Sequence, residues 1–318
     1  KIKTVYTIHN LKYQGRFWKG YLPDVLGLDW KYFNNGDLEY FDDINFMKGA
    51  IVYSDKVTTV SRTYAKEIQD PYYGEGLEGM LQKRKDDLSG IINGLDYDDY
   101  DPETDKYVPF KYNVSNAIAR KGDNKEELQK KLGLPVNRSI PLIGMVTRLD
   151  LVTRIMDELL EYEDVQFVLL GTGDRQYEDW FKGLVWRYPK KVSANIFFNN
   201  ELAHQIYAAS DLFLMPSQYE PCGIGQLIAL RYGSIPIVRA TGGLKDTVEA
   251  FNNYTNTGNG FSFNNYNAHE LLFSIKRAID SVSELSKRQH IMENAMTADY
   301  SWTESAKQYK DLYNSLTK

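Results

Sequence analysis

Short apolar runs rich in β-branched residues alternate along the chain with segments of helical period, and this alternation predicts most of the fold. TVYTIHN at 4–10 reads as a strand ending in a polar loop. KVTTVS at 56–61 reads as a second strand, with a helix following from about Arg62, and GIINGLD at 90–96 as a third strand. The polar, tyrosine-rich stretch DYDDYDPETDKYVPFKYN at 96–113 then reads as an interdomain linker. NKEELQKKLGLP at 124–135 predicts a short helix stopped by Gly and Pro.

From Ile140 the alternation becomes regular. Strands are predicted at PLIGMVT (141–147), VQFVLLG (165–171), SANIFF (193–198), LFLMP (212–216) and IPIV (235–238), with helices between them. Short, wholly apolar strands alternating with helices indicate a parallel sheet covered on both faces. Ligands of such sheets lie outside the carboxyl ends of the strands, so the residues just after each strand are the ones to weigh. One join is odd. MVTRLD runs straight into the helical LVTRIMDELLEY, where a connection of about 2–6 residues is usual. Either the loop is unusually short or residues are missing between Asp150 and Leu151.

Composition narrows the function classes. A chain of 318 residues suits two domains. The net charge of −5, with no basic block, argues against a nucleic-acid partner. No apolar run approaches the roughly 20 residues of a membrane helix, and the single cysteine cannot form an intrachain disulfide. Both fit a cytoplasmic setting. The chain opens without Met directly on a strand pattern, KIKTVYTIHN. That predicts an N-terminal portion lost to processing, truncation or disorder.

Each strand-end residue carries a functional and a bland reading. His9 follows the first strand, where it could meet a substrate or serve as a structural histidine. Asn93 and Gly94 follow the third, and alone they read as a turn. Arg148 follows GMVT and could hold a phosphate bidentately or form a surface salt bridge. LLGTGD at 169–174 puts Gly171, Thr172 and Gly173 before a helix start, where a nucleotide could approach the backbone. The full dinucleotide fingerprint is absent, which argues against a nicotinamide enzyme. In SQYEPCGIGQL (217–227) a strand ends, a loop follows, and Gly223 is predicted to begin a helix. Its free backbone N–H groups favour a diphosphate. Glu220 would project beside that site, and Cys222 could be a nucleophile or a small packing residue. RATGGLKDTV at 239–248 repeats the arrangement.

Together, YTIHNLKYQG, INGLDY, VTRLD, LLGTGD, PSQYEPCGIGQLIALRYGSIPIVRATGGLKDTV and YSWTESAKQYKDLY resemble, in order and over nearly the whole chain, the bacterial glycogen synthases and plant starch synthases. The resemblance implies an α/β fold of the GT-B type, with two facing doubly wound Rossmann-like domains, the first incomplete here. Residues 1–107 would be the remainder of the N-terminal acceptor-side domain and 108–300 the nucleotide-sugar-binding domain. Residues 301–318 would form a C-terminal helix packing back on the first domain. The activity implied is transfer of glucose from ADP-glucose to the non-reducing-end 4-hydroxyl of an α-1,4-glucan such as glycogen. Configuration is retained, with no metal or other cofactor and no nucleic acid or membrane as partner.

Carried over residue by residue, His9 is similar to the histidine that contacts the transferred glucose, and Asn93 to a sugar-contacting asparagine. Arg148 is similar to the arginine that neutralises the leaving diphosphate, and Glu220 to the carboxylate facing the glucose. Cys222, Gly223 and Ile224 would offer backbone N–H groups to sugar hydroxyls. Gly225 would lie by the diphosphate, and Phe198 where an aromatic ring stacks on adenine. On this reading the Cys222 thiol is a packing residue.

Two family features are absent from the sequence: an N-terminal part bearing a lysine and a glycine-rich loop, and a lysine loop between Asp150 and Leu151. The tight join predicts residues unobserved rather than deleted. A competing reading is a catalytically inactive glucan or nucleotide-sugar binding protein. A phosphorylase acting on the same polymer would need a pyridoxal-phosphate lysine, for which no motif is offered.

Overall fold

The computed structural model describes residues 2–146 and 151–317. The chain divides into two compact units, Lys1–Asn93 with Ser305–Lys318, and Gly94–Glu304.

In the first unit a parallel sheet of order β1–β5–β6 is built from β1 (Val5–Ile8), β5 (Lys56–Thr59) and β6 (Leu88–Gly90). Thr7 pairs with Thr58, and their hydroxyls meet at 2.7 Å. Ser61 caps the helix Arg62–Glu67 by accepting the N–H of Tyr64 at 2.9 Å. The third strand lies earlier than the apolar pattern at 90–96 suggests: only Leu88–Gly90 forms a ladder, beside β5. A small antiparallel sheet joins β2 (Arg16–Trp18), β4 (Asp43–Asn45) and β3 (Glu39–Tyr40). These strands span two or three residues, too few for a periodic signal. The helix Trp302–Leu316 reaches into this unit from Ser305 onward, and the Ser305 hydroxyl donates to the Ile92 carbonyl at 2.7 Å.

The second unit carries six parallel strands: β7 (Leu142–Val146), β8 (Gln166–Leu170), β9 (Val192–Asn195), β10 (Leu212–Met215), β11 (Ile235–Arg239) and β12 (Phe261–Phe263). Their order is β12–β11–β10–β7–β8–β9. β7, β8 and β10 are almost wholly buried, which explains their unbroken apolar sequences. From β7 the chain winds outward through β8 and β9, then returns to β10 and winds the other way. The order therefore reverses between β7 and β10, and outside the carboxyl ends of the strands at such a reversal is where sheets of this kind bind ligands. The helix over 124–135 is longer than expected, Ala117–Lys131.

The amino end of this sheet is closed by buried charge. Asp211, one residue before β10, accepts the Leu142 N–H at 2.8 Å and ion pairs from Lys125 and Arg288, each at 2.6 Å. Burial alone would raise the Asp211 pKa, but Arg288 and Lys125 hold it below the ordinary carboxylate value. Lys121, fully buried, donates to the carbonyls of Tyr207, Ala208 and Tyr232 at 3.0–3.1 Å. Desolvation pushes its pKa well down. Its Nζ binds carbonyls at the carboxyl ends of two helices, Asn200–Ala209 and Gly225–Arg231.

The first boundary, expected at 107, falls instead at Asn93. The stretch 96–113 is no free linker, because side chains bind it to the second unit. Asp101 pairs with Arg231, whose guanidinium lies over the Tyr97 ring at 4.4 Å. Asp105 accepts from His204 Nδ1 at 2.6 Å and from the Tyr232 hydroxyl. The Tyr112 hydroxyl donates to the Tyr232 carbonyl at 2.7 Å. The Asn93–Gly94 pair forms no turn either. A Cβ on Gly94 would stand 2.3 Å from the Trp302 Cα, so the glycine admits the returning chain.

Candidate active site

β10 ends at Met215, and the loop Pro216–Ile224 follows. Gly223 adopts a left-handed φ of +71° and does not begin a helix; the helix starts at Gly225. The helix therefore starts two residues later than expected, and Cys222–Ile224 contribute backbone from outside it. Glycine is needed at 223 twice over. Besides the φ, a Cβ there would lie 2.2 Å from the side-chain amide of Gln226. That amide is buried and donates to the carbonyls of Cys222 at 3.0 Å and Gly223 at 2.8 Å, and to the Thr247 hydroxyl at 3.2 Å. Gln226 thus fixes the loop from below.

A second turn locks against the first. After β11, Gly242 has φ +46°, and a Cβ on it would meet the Glu220 carbonyl at 1.9 Å. A Cβ on Gly243 would meet the Cys222 carbonyl at 1.9 Å. The Gly243 N–H reaches the Pro221 carbonyl at 3.1 Å. Arg239, the last residue of β11, donates to the Gln218 carbonyl from the other side. The loop after β10 is therefore held by main chain, by the Gln226 amide and by one guanidinium.

Glu220 stands on this support, half-buried. It accepts a long 3.3 Å bond from the Ser217 hydroxyl and a backbone bond from Gly223. Burial raises its pKa above the ordinary glutamate value, against the smaller opposing pull of those two bonds. A carboxylate with so few partners just after the carboxyl end of a strand can accept hydrogen bonds from hydroxyls or face a developing positive charge. Cys222 is buried, at 6% exposure. Ile224 is 39% exposed and Gly225 half-buried, so the start of the helix is reachable.

The other expected residues distribute as follows. β8 ends at Leu170, and Gly171, Thr172 and Gly173 lead to the helix Arg175–Arg187; the Gly173 N–H is taken by Glu178 at 3.0 Å. β9 stops at Asn195, sooner than the apolar run suggests. The Asn195 side chain donates to the Leu169 carbonyl at 3.0 Å, and the chain leaves the sheet there. Phe198 is 91% exposed. Arg148, and with it the join at Asp150, lies outside the described residues; β7, which precedes it, ends at Val146 beside β10.

In the first unit, His9 follows β1 between two buried anchors, Ile8 and Leu11. The Leu11 N–H donates to the hydroxyl of fully buried Tyr64 at 3.1 Å, and the turn at Asn10 leaves the imidazole exposed. Asn93 is half-buried at the end of the same unit. The structure places Glu220, Cys222, Gly223 and Ile224 in one loop, with Gly225 opening the helix after it. Sequence reasoning noted the glycine turn at 239–248 but did not tie Gly242 and Gly243 to this loop, and it missed Ser217, Gln226 and Arg239, which bond within it. The position of Arg239 at a strand's carboxyl end was the available signal, along with the paired glycines after it.

Known proteins share these features. The model for the starch synthase catalytic domain matches residues 1–83, and that for glycosyl transferases group 1 matches residues 121–297. The chain is 54% identical over 321 residues to a glycogen synthase of Clostridium novyi, covering 99% of the chain and 67% of that protein. It is 55% identical over 322 residues to a glycogen synthase of Clostridium acetobutylicum, at the same coverage. The chain thus spans about two thirds of the length of these relatives. Among solved structures, the catalytic domain of starch synthase IV from Arabidopsis thaliana, bound to ADP and acarbose, superposes with a TM-score of 0.89 and 36% identity. That match covers 98% of this chain and 66% of the other. A sucrose-phosphate synthase from Thermosynechococcus elongatus shares the fold, with a TM-score of 0.59 and 19% identity over 98% of this chain and 67% of its own.

Proposed function

Because the chain belongs to the glycogen synthase and starch synthase family, a family of GT-B glucosyltransferases, we propose that it transfers glucose from ADP-glucose to the 4-hydroxyl at the non-reducing end of an α-1,4-glucan, with retention at the anomeric carbon. The observation that carries this reading is Glu220, a half-buried, sparsely bonded carboxylate on a glycine-built loop where the sheet order reverses.

Departure of the nucleotide places negative charge on its diphosphate. Arg148 meets that charge, with the backbone N–H groups near Gly225. Cys222, Gly223 and Ile224 offer main-chain groups to the glucose hydroxyls. Glu220 and His9 orient the glucose as it gains oxocarbenium character, and Asn93 contacts the sugar. The acceptor hydroxyl attacks from the face the diphosphate leaves, which retains configuration without a glucosylated enzyme. Gly171–Gly173 and Phe198 contribute to the nucleotide end, Phe198 by stacking on adenine. The chemistry needs no metal or other cofactor, and a cytoplasmic location suits a chain with one cysteine. Among the described residues no helix is long and apolar enough to cross a membrane.

The test is transfer of labelled glucose to glycogen from ADP-glucose, with UDP-glucose in parallel and Glu220→Ala as control. Transfer from ADP-glucose that collapses in the variant supports the reading. Glycogen binding without transfer from either donor would replace it with an inactive binding protein.

A further inference from the structure

The buried carboxamide of Gln226 does more than hold the loop after β10. Its Nε2 donates to the carbonyls of two successive residues, Cys222 at 3.0 Å and Gly223 at 2.8 Å. A planar trans peptide points its N–H opposite to its C=O. The N–H groups of Gly223 and Ile224, which share peptide planes with those two carbonyls, are therefore turned away from Gln226. The first of them meets the Glu220 carboxylate. One side chain thus sets the direction of two main-chain donors, and the first is aimed at Glu220.

The carboxamide itself is held in one orientation. Gln226 is 0% exposed, and its Oε1 has no hydrogen-bond partner among the described residues. Turning the amide over would set Oε1 against both carbonyls, since an amide oxygen only accepts. A buried, unmet acceptor is a net cost to the fold, and a residue kept only for packing would avoid that cost.

The seat beneath the amide is braced from distant segments. Nε2 also donates to the Thr247 hydroxyl at 3.2 Å, and that hydroxyl donates onward to the Gly243 carbonyl at 2.7 Å. The Thr247 carbonyl accepts from the Asn259 side chain at 3.0 Å and from the Tyr300 hydroxyl at 2.9 Å. Tyr300 is anchored in turn. Its N–H donates to the Tyr97 hydroxyl at 2.9 Å, and its carbonyl accepts the Leu95 N–H at 2.7 Å. We propose that Gln226 is a positioning residue for glucose transfer: seated on Thr247, it aims the Gly223 and Ile224 N–H groups at the glucose and acts on the sugar only through them. This role rests on the proposed transferase activity.

The experiment compares the full chain with Gln226→Met, which keeps the length of the side chain and removes its N–H donors. In the variant kcat/KM for ADP-glucose falls about tenfold, the scale of one or two hydrogen bonds, while the KM for glycogen stays at the parental value. A second readout needs no substrate. With the Gly223 N–H released, the Glu220 carboxylate loses a donor, so its pKa rises above the parental value in an NMR titration of that carboxyl. A variant that folds with parental kcat/KM and a parental Glu220 titration overturns the inference, as does one whose only change is a lower melting midpoint. If Gln226→Met does not fold, Thr247→Val and Thr247→Ser decide the matter. The first removes the hydroxyl that seats the amide and lowers kcat/KM, and the second keeps that hydroxyl and recovers it. Equal values in the two overturn the inference. If the parent transfers no glucose, the transferase reading fails, and the Glu220 titration alone decides whether Gln226 aims these groups.

Discussion

The two ends of the six-stranded sheet are built on opposite principles. At the amino end, buried Asp211 is paired with buried Lys125 and part-buried Arg288, and buried Lys121 is bonded to main-chain carbonyls. At the carboxyl end, the loop after β10 is held through main chain and glycine, and its one carboxylate has a long bond to Ser217 and one to the Gly223 backbone. One end closes its polar groups against each other and the other leaves Glu220 free to meet a ligand. A site for a charged, hydroxyl-rich molecule can be kept polar and underbonded only where stability is supplied elsewhere.

This contrast can be broken by substitution. Lys125→Met removes one of the two cations on Asp211 and should cost about 3–5 kcal/mol of stability. The expected readout is a large drop in the urea midpoint, with the donor KM of the folded fraction unchanged. A normal midpoint with lost transfer would put function at the wrong end. Glu220→Gln is the mirror image: kcat should fall by about 10²–10³-fold, the scale of one preorganised polar group, with no loss of stability. Gly243→Ala sits between the two. Its new methyl meets the Cys222 carbonyl, so overpacking of about 1–3 kcal/mol should appear in the thermal midpoint. The donor KM should rise in the same variant, because the displaced carbonyl belongs to the ligand loop.

Titration sharpens the contrast further. The raised pKa of Glu220 should move the acidic limb of kcat/KM above the ordinary glutamate range, and Glu220→Gln should abolish that limb. The sign for stability follows from the same shift. A carboxyl that holds its proton more tightly when folded favours folding in acid, and that contribution is lost as pH rises through the folded value. Glu220→Gln should therefore be more stable than the parent at neutral pH and lose that advantage in acid, as melting at both pH values would show.

Much of the second unit was legible because burial on both sheet faces writes itself as unbroken apolar runs, as at β7, β8, β10 and β11. The strand β12 escaped notice because Phe261–Phe263 is three residues with a serine at its centre. The 96–113 stretch misled because its polarity resembles that of a linker. Its partners, Arg231, Tyr232 and His204, lie roughly a hundred residues or more away in sequence, and no local pattern announces a pairing at that distance. Gly94 read as a turn for the same reason, since the chain it admits returns only at Ser301 and Trp302. Within the site, side chains with chemistry of their own, such as Glu220, stood out. Gln226 did not, because its work is to bind carbonyls and nothing in its spacing says so.

The interlocking of Gly242 and Gly243 with the carbonyls of Glu220 and Cys222 also limits how the loop can change over time. Contacts between side chains drift by paired substitution, one shrinking as the other grows. Here neither party has a side chain to vary, so a change on one turn has no compensating residue on the other. New specificities would then have to arise at exposed positions beside the lock, such as Ile224, while the lock itself passes unaltered from one specificity to the next.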